Sequence, residues 1–392
     1  VKRDAVIVSA VRTAIGRQGG ALASVPAHIF GAEVIKEAIR RANISPEMID
    51  DVILGNVLSG GGNIARLTAL QTGLSIEIPG LTVDRQCGSG INAVTLAAQA
   101  IRAGDGDIYI AGGIESMSRA PYLMDRPEKP YSSTPPNFRK SQLSPKEIGD
   151  PPMGITAENL VKKYQISREE QDEFALRSQQ RMAAAMEEGR FDEQIVPITI
   201  PVRKGEPIVF KTDEHPRPQT TMEALSKLQP AFLQGGTVTA GNSSGLNDAA
   251  SALVIMSREK AEELGLTPLA VVREYAVAGV DPNIMGIGPV PATKKVLQKS
   301  GLSLEDIDII EINEAFAAQV IACDRELKMD PEKVNVNGGA IAHGHPLGAT
   351  GAILITKAVY ELKRSRGRYA LITACIGGGQ GIATIIEHEY MG

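Results

Sequence analysis

The feature that most constrains this chain is a match between two of its own segments. ISPEMIDDVIL (44–54) aligns with LSLEDIDIIEI (302–312), pairing Ser45 with Ser303, Glu47 with Glu305, Ile49 with Ile307 and Asp50 with Asp308. The offset is 258 residues, and the same offset carries Cys87 of VDRQCGSGINAV onto His345 of AHGHPLGATGA. Farther on, DIYIAGG (107–113) pairs in pattern with YALITACIGG (369–378), with a few inserted residues. Self-similarity at a fixed offset means that one supersecondary unit is built twice. It predicts two related α/β halves. If these pack about a pseudo-twofold axis, Cys87 and His345 stand at equivalent helix entries facing one cleft.

The local patterns agree with an α/β fold. β-rich runs such as AVIVSAV (5–11) and DDVILGNV (50–57) alternate with helical patterns such as AEVIKEAIRRA (32–42). The character changes after residue 118. Prolines at 121, 127, 130, 135, 136, 145, 151 and 152 exclude a continuous helix or central strand over 119–153, so this stretch reads as an excursion from the core. Within the excursion, 166–189 predicts a helix opened by a Ser167/Glu170 capping box and stopped at Gly189. IVPITIPV and PIVFKT alternate like a small hairpin, and the core resumes near 245–257.

Composition narrows the function. At 392 residues the chain exceeds what one core usually organises, so two or three subdomains are expected. Hydrophobic residues at 43%, no Trp and a net charge of −5 argue against disorder and against a nucleic-acid surface. The opening VKRDAVIVSAVRTAIG reaches charged or Gly positions too soon for a signal-peptide core, and no apolar run nears a membrane span. A soluble cytoplasmic protein without membrane or nucleic-acid partners is the expectation. Cys87, Cys323 and Cys375 are widely separated and form no CxxC pair, which fits a reducing compartment.

Each candidate residue has a chemical reading and a plainer one. Cys87 at a helix N-terminus is favoured as thiolate by the helix dipole, and Gly88 and Gly90 open the backbone to a ligand; the plainer reading is a small residue packed in a turn. His345 suits a general base of near-neutral pKa, or a turn residue beside Pro346. His343-x-His345 lacks further ligands for a metal, and no metal site is expected. Cys375 ends a buried strand before Gly377, Gly378 and Gly379, a turn able to expose N–H groups as an oxyanion hole. No Lys-Ser/Thr of a P-loop follows, and no GxGxxG opens the first helix. Asn313 stands where a strand becomes a helix, either orienting water or a carbonyl, or simply capping the helix. Cys323 falls in an apolar helical pattern and reads as core. Two cysteines and a histidine, each beside glycines, suit acyl transfer through a thioester.

Taken in order, VSAVRTAIG, QCGSG, AGGIESMS, MGITAEN, KLQPAF, TVTAGNSSGLND, NEAFA, GHPLGATGA and CIGGG resemble the thiolase family over essentially the whole chain. The resemblance implies the thiolase fold, two similar α/β halves packed as five layers (αβαβα) with an inserted loop domain. Its boundaries here are 1–118 plus 246–268 for the N-terminal half, 119–245 for the CoA-binding loop domain and 269–392 for the C-terminal half. It implies Cys87 as the acylated nucleophile, His345 as the base that activates it and Cys375 as the acid/base on the α-carbon. It also implies one oxyanion hole from Asn313, through a water, with His345, and another from the N–H groups of Cys87 and Gly377. Coenzyme A, a substrate and not a resident cofactor, is implied to lie against Arg217, Leu228, Phe232, Ala240 and Ser244, with Met153 and Phe316 toward the acyl end. The plainer readings are core packing and, for Arg217, a solvated charge. Two departures stand out: Pro152 where biosynthetic members often carry His, and His343 where the family is usually apolar. The implied activity is reversible condensation of two acetyl-CoA to acetoacetyl-CoA, or thiolysis of 3-ketoacyl-CoA in fatty acid metabolism, by a homodimer or homotetramer. Alternatives are a decarboxylating ketoacyl synthase, against which the second cysteine argues, and a silent acyl-CoA-binding subunit, against which the presence of Cys87, His345 and Cys375 argues.

Overall fold

The computed structural model describes residues 3–59, 62–127, 129–131, 133 and 135–389; the outermost residues assigned to the two halves, Val1 and Gly392, lie outside these. The N-terminal half contributes β1 (Ala5–Thr13), β2 (Asp51–Gly55), β3 (Gly80–Val83), β4 (Ile108–Ser116) and β5 (Asn247–Ser257), with helices α1 (Ala27–Ala42), α2 (Ile64–Thr72) and α3 (Ser89–Ala103). Between β4 and β5 come α4 (Met153–Tyr164) and α5 (Arg168–Glu187). The C-terminal half contributes β6 (Ala270–Gly279), β7 (Ile309–Ile312), β8 (Tyr369–Ile376) and β9 (Gln380–Glu387), with α6 (Pro289–Ser300), α7 (Ala317–Leu327) and α8 (Leu347–Ser365).

Strand order is β7-β8-β9-β6-β1-β5-β4-β2-β3, so each half repeats one topology and the two meet edge to edge. The seam is the antiparallel pairing of Val6 with Val271 and Ile7 with Ala270. In both halves the outer pairs β2–β4 and β7–β8 are parallel and the inner ones antiparallel. Where the N-terminal half has β3 beside β2, the C-terminal half keeps only a parallel bridge from Ile310 to Val334. The 258-residue offset is thus structural: β2 matches β7, and α3 starting at Ser89 matches α8 starting at Leu347.

Five layers follow from the helix faces. α1 and α2 cover one sheet through Phe30, Val34 and Ile64 on Leu54, and α6 and α7 cover the other through Val296 and Val320 on Ile310. α3 and α8 lie between the sheets, where Ile91, Val94, Leu354 and Ile355 share one core with strand residues of both halves. α3 and the opening LGATGAILIT of α8 are apolar or small on nearly every face, as a helix buried between two layers requires, while the second half of α8 carries Lys357, Glu361, Lys363 and Arg364. The two helices cross backbone to backbone: a Cβ on Gly90 would lie 2.6 Å from the amide nitrogen of Ala352 and 3.1 Å from the carbonyl of Gly348.

The intervening chain forms two small hairpins, 123–124 with 138–139 and 198–200 with 208–210, the second as expected from its alternation. The capping box at Ser167 is present, with Glu170 reaching back to the Ser167 N–H, and α5 ends just before Gly189. Among the described residues no helix is long and apolar enough to cross a membrane, and no group of three or more His, Cys, Asp or Glu could hold a metal ion.

Candidate active site

Cys87 stands on the turn from β3 into α3. The preceding Gln86 adopts φ +44°, a left-handed conformation that a side chain with a Cβ takes up only at a cost of about 1 kcal/mol. Local bonds hold it there: the Gln86 N–H donates to Asp84 Oδ1 at 2.8 Å, and Ser89 Oγ accepts from the Arg85 N–H while donating to the Gln86 carbonyl. The half-buried Cys87 sulfur receives the N–H of Gly377 and its own N–H. Burial nevertheless pushes the thiol up to about 11, and the charges of Asp84 and Glu115 act in the same direction. The expectation that the helix entry favours thiolate is therefore overturned. Desolvation and two nearby carboxylates outweigh the helix N-terminus and the two N–H groups.

His345 occupies the equivalent entry to α8, and the Gly90–Gly348 contact brings these helix starts together. Its main-chain N–H donates to Asn247 Oδ1 at 2.9 Å. Its ring is held at both ends, with Nδ1 2.7 Å from Thr350 Oγ1 and Nε2 3.3 Å from Asn313 Nδ2. Burial lowers its pKa to about 4, against the near-neutral value expected from sequence. The imidazole is neutral at physiological pH and free to take a proton only from a group delivered to it.

Asn313 follows the last residue of β7. It does not cap α7, whose N-cap is Phe316; the alternative reading as a cap is thus corrected. Its main chain is tied to the Thr373 carbonyl at 2.9 Å, and the fully buried side chain reaches His345 with Oδ1 left without a partner among the described residues. Cys375 lies near the end of β8, fully buried, its thiol raised well above the usual range by burial first and by neighbouring Cys87 second. Beyond it, Gly378 and Gly379 both take φ +84°, which turns the chain tightly into β9 and leaves the Gly377 N–H directed at Cys87. Cys87, Cys375 and Gly377 thus meet at one place, and Asn313 and His345, joined to each other, stand at the neighbouring strand end and helix entry.

The outer candidates divide into two groups. Met153 and Phe316 pack with Cys375, Val238, Met285 and Ala315 in one small apolar cluster. Phe232, exposed, meets Phe316 edge to face with centroids 5.9 Å apart. Arg217, Leu228 and Ala240 are exposed, and Ser244 is half-buried with its N–H on the Ala315 carbonyl. The side chain of Leu228 packs on Gly241. Among the described residues no contact brings Arg217 to the cysteines; its N–H is held by Gln179 Oε1 at 2.8 Å.

Four contributors escaped the sequence reading. Leu143 covers the glycine turn, its side chain 2.9 Å from where a Gly377 Cβ would stand and its carbonyl 2.8 Å from that of Gly378; it sits in the proline-rich excursion, which carries no periodic signal. Asn247 and Thr350 hold His345 from two sides. Glu115 accepts from the N–H groups of Val57, Leu58, Ser59 and Gly348, joining the β2 exit to the start of α8. The available signal for Glu115 was a charged residue at the end of an otherwise apolar strand.

Comparison with known proteins gives a consistent result. A family model described as thiolase, N-terminal domain, matches residues 5–259, and one described as thiolase, C-terminal domain, matches 266–388. An acetyl-CoA acetyltransferase of Cupriavidus necator is 50% identical over 98% of this chain and 100% of its own length. The crystal structure of the Bacillus anthracis acetyl-CoA acetyltransferase superposes with a TM-score of 0.95 at 46% identity, covering 99% of each chain. That of human mitochondrial 3-ketoacyl-CoA thiolase in complex with CoA does so at 0.92 and 44% identity, covering 99% of this chain and 98% of the other.

Proposed function

The chain belongs to the thiolase family, and from that premise we propose that it is a CoA-dependent acyltransferase that interconverts 3-ketoacyl-CoA plus CoA with acyl-CoA plus acetyl-CoA through an acylated Cys87. The acetoacetyl-CoA/acetyl-CoA pair is the favoured substrate set, supported by the acetyl-CoA acetyltransferases among its relatives. The observation that carries the reading is the pair of N–H groups, from Cys87 and Gly377, directed at one sulfur with a second thiol beside it.

In the thiolytic direction the Cys87 thiol gives its proton to Nε2 of His345 as sulfur attacks the C3 carbonyl. The oxyanion formed is met by the N–H groups of Cys87 and Gly377. As the carbonyl re-forms, the C2–C3 bond breaks and its electron pair goes to C2 as the enolate of acetyl-CoA, whose oxygen faces His345 and Asn313. The Cys375 thiol protonates C2. Its raised pKa suits this step, because a thiol that holds its proton at rest is available as an acid. Incoming CoA then attacks the S-acyl carbon, its thiol proton passing to Cys375, and the departing Cys87 sulfur takes a proton from His345. Condensation is the same path reversed.

The CoA moiety is assigned to the surface carrying Leu228, Phe232, Ala240 and Ser244, with Arg217 at its rim and Met153 and Phe316 toward the acyl end. Support comes from the continuity of Phe232 with Phe316, and of Phe316 with Cys375. The loop domain is drawn at 119–245, between halves of 1–118 plus 246–268 and 269–392; the change of family model between 259 and 266 supports the boundary between the halves. A homodimer, or a homotetramer built from it, is proposed. Its support is the end strand β3 and neighbouring α2, where Leu67, Leu70, Ile76 and Leu81 are exposed. The compartment proposed is the cytoplasm, supported by three free cysteines, and the pathway proposed is fatty acid metabolism, supported by the 3-ketoacyl-CoA thiolase among the similar structures.

The test is intact mass after exposure to acetyl-CoA, with acetoacetyl-CoA and longer 3-ketoacyl-CoA cleavage measured alongside. Wild type gains one acetyl group and Cys87→Ser gains none; Cys375→Ser still gains it, more slowly because the departing CoA loses its proton donor, yet neither cleaves nor condenses. An adduct persisting in Cys87→Ser would overturn the assignment.

A further inference from the structure

The His345 ring sits between two groups whose geometry bears on its tautomer. On one side is Thr350, five residues on, in the first turn of α8. Its hydroxyl lies 2.9 Å from the carbonyl of Pro346, the i−4 position to which a helical threonine ordinarily donates its one proton. With that proton spent, Thr350 Oγ1 meets Nδ1 at 2.7 Å as an acceptor, so Nδ1 must carry the hydrogen. On the other side the Asn313 amide presents Nδ2, which is only a donor, to Nε2 at 3.3 Å. Nε2 must therefore present its lone pair. Both contacts are met by the same tautomer. Thr350, Asn313 and His345 are all buried.

We infer that Thr350 is a positioning residue that holds His345 as the Nδ1–H tautomer and so keeps Nε2 basic toward the Cys87 proton. Without the hydroxyl, Nδ1–H would face a buried site with no acceptor, and the ring would gain by moving its hydrogen to Nε2. That tautomer cannot accept a proton where the chemistry needs it. Thr350 touches neither thiol nor substrate; it acts through the imidazole alone. The inference rests on the proposed role of His345, but the tautomer itself does not.

The experiment compares wild type, Thr350→Val and Thr350→Ser, with ring nitrogens labelled and their 15N shifts used to read which one is protonated. Wild type and Thr350→Ser are expected to show protonated Nδ1 and bare Nε2. Thr350→Val, equal in shape but lacking the hydroxyl, is expected to lose that state. Its rate of Cys87 acetylation and its kcat should fall by about a hundredfold, the range of a misplaced general base, with KM for acyl-CoA nearly unchanged and Thr350→Ser restored to within a few fold of wild type. Bare Nδ1 in the wild-type spectrum would overturn the proposal whatever the variants do. So would a Thr350→Ser enzyme as impaired as Thr350→Val, which would mean packing alone. Because the spectrum is read without turnover, a wild type that fails to acetylate would count against the thiolase reading and leave the tautomer result standing.

Discussion

Asn313 and His345 meet amide nitrogen to imidazole at 3.3 Å, and the amide oxygen of the same Asn313 is buried with no partner among the described residues. An unpaired buried carbonyl of this kind costs about 1–3 kcal/mol. It persists beside a histidine whose own pKa is driven to about 4 by burial. The pair is therefore set for neutral hydrogen bonding and not for charge.

Replacing that amide by a carboxylate should show this directly. In Asn313→Asp the added charge favours the imidazolium, so the His345 pKa, followed by NMR titration, should rise from about 4. Because a protonated Nε2 cannot accept the thiol proton and an oxyanion donor is lost, kcat should drop about a hundredfold, with a smaller change in KM.

The Cys87 thiol, held up to about 11, is protonated across the neutral range together with a neutral His345. Raising pH above neutral should therefore accelerate alkylation of the resting protein by iodoacetamide about tenfold per unit, until the thiol titrates near 11. A thiolate–imidazolium pair would instead give a rate already level at pH 7, and that plateau is the result that would refute the assignment.

Gly90 is needed by its neighbour helix more than by its own. In Gly90→Ala the new methyl would stand 2.6 Å from the Ala352 nitrogen, backbone atoms that cannot swing aside. The helices must part, at a cost of about 3 kcal/mol in urea unfolding. Since Cys87 and His345 sit at the two starts of this crossing, activity should fall even in the fraction that remains folded.

Glu311 and Lys357 form a fully buried ion pair at 2.9 Å, with Lys357 also donating to the Gly338 carbonyl. Lys357→Met strands a carboxylate in the core and should destabilise by about 3–5 kcal/mol, whereas Glu311→Leu combined with Lys357→Met should recover much of that loss. Denaturant midpoints of the two variants decide the matter; equal destabilisation would count against the pair.

Much of this molecule is written locally. The ISPEMIDDVIL and LSLEDIDIIEI match, the strand and helix periods and the Ser167/Glu170 capping box all act over a few residues, and they yielded two α/β halves with Cys87 and His345 at equivalent helix entries. Glycine-flanked cysteines likewise identified Cys87 and Cys375 as candidates before any geometry was known. What tertiary structure alone decided was the state of those groups. The pKa of Cys87 depends on desolvation and on Asp84 and Glu115, the latter on another strand; the basic nitrogen of His345 depends on Asn313, which arrives from β7. Leu143 covers the glycine turn from a segment with no pattern of its own. Periodicity reports which face of an element is apolar. Protonation and tautomer are set by what surrounds a group in space, and that is fixed only when the two halves close on each other.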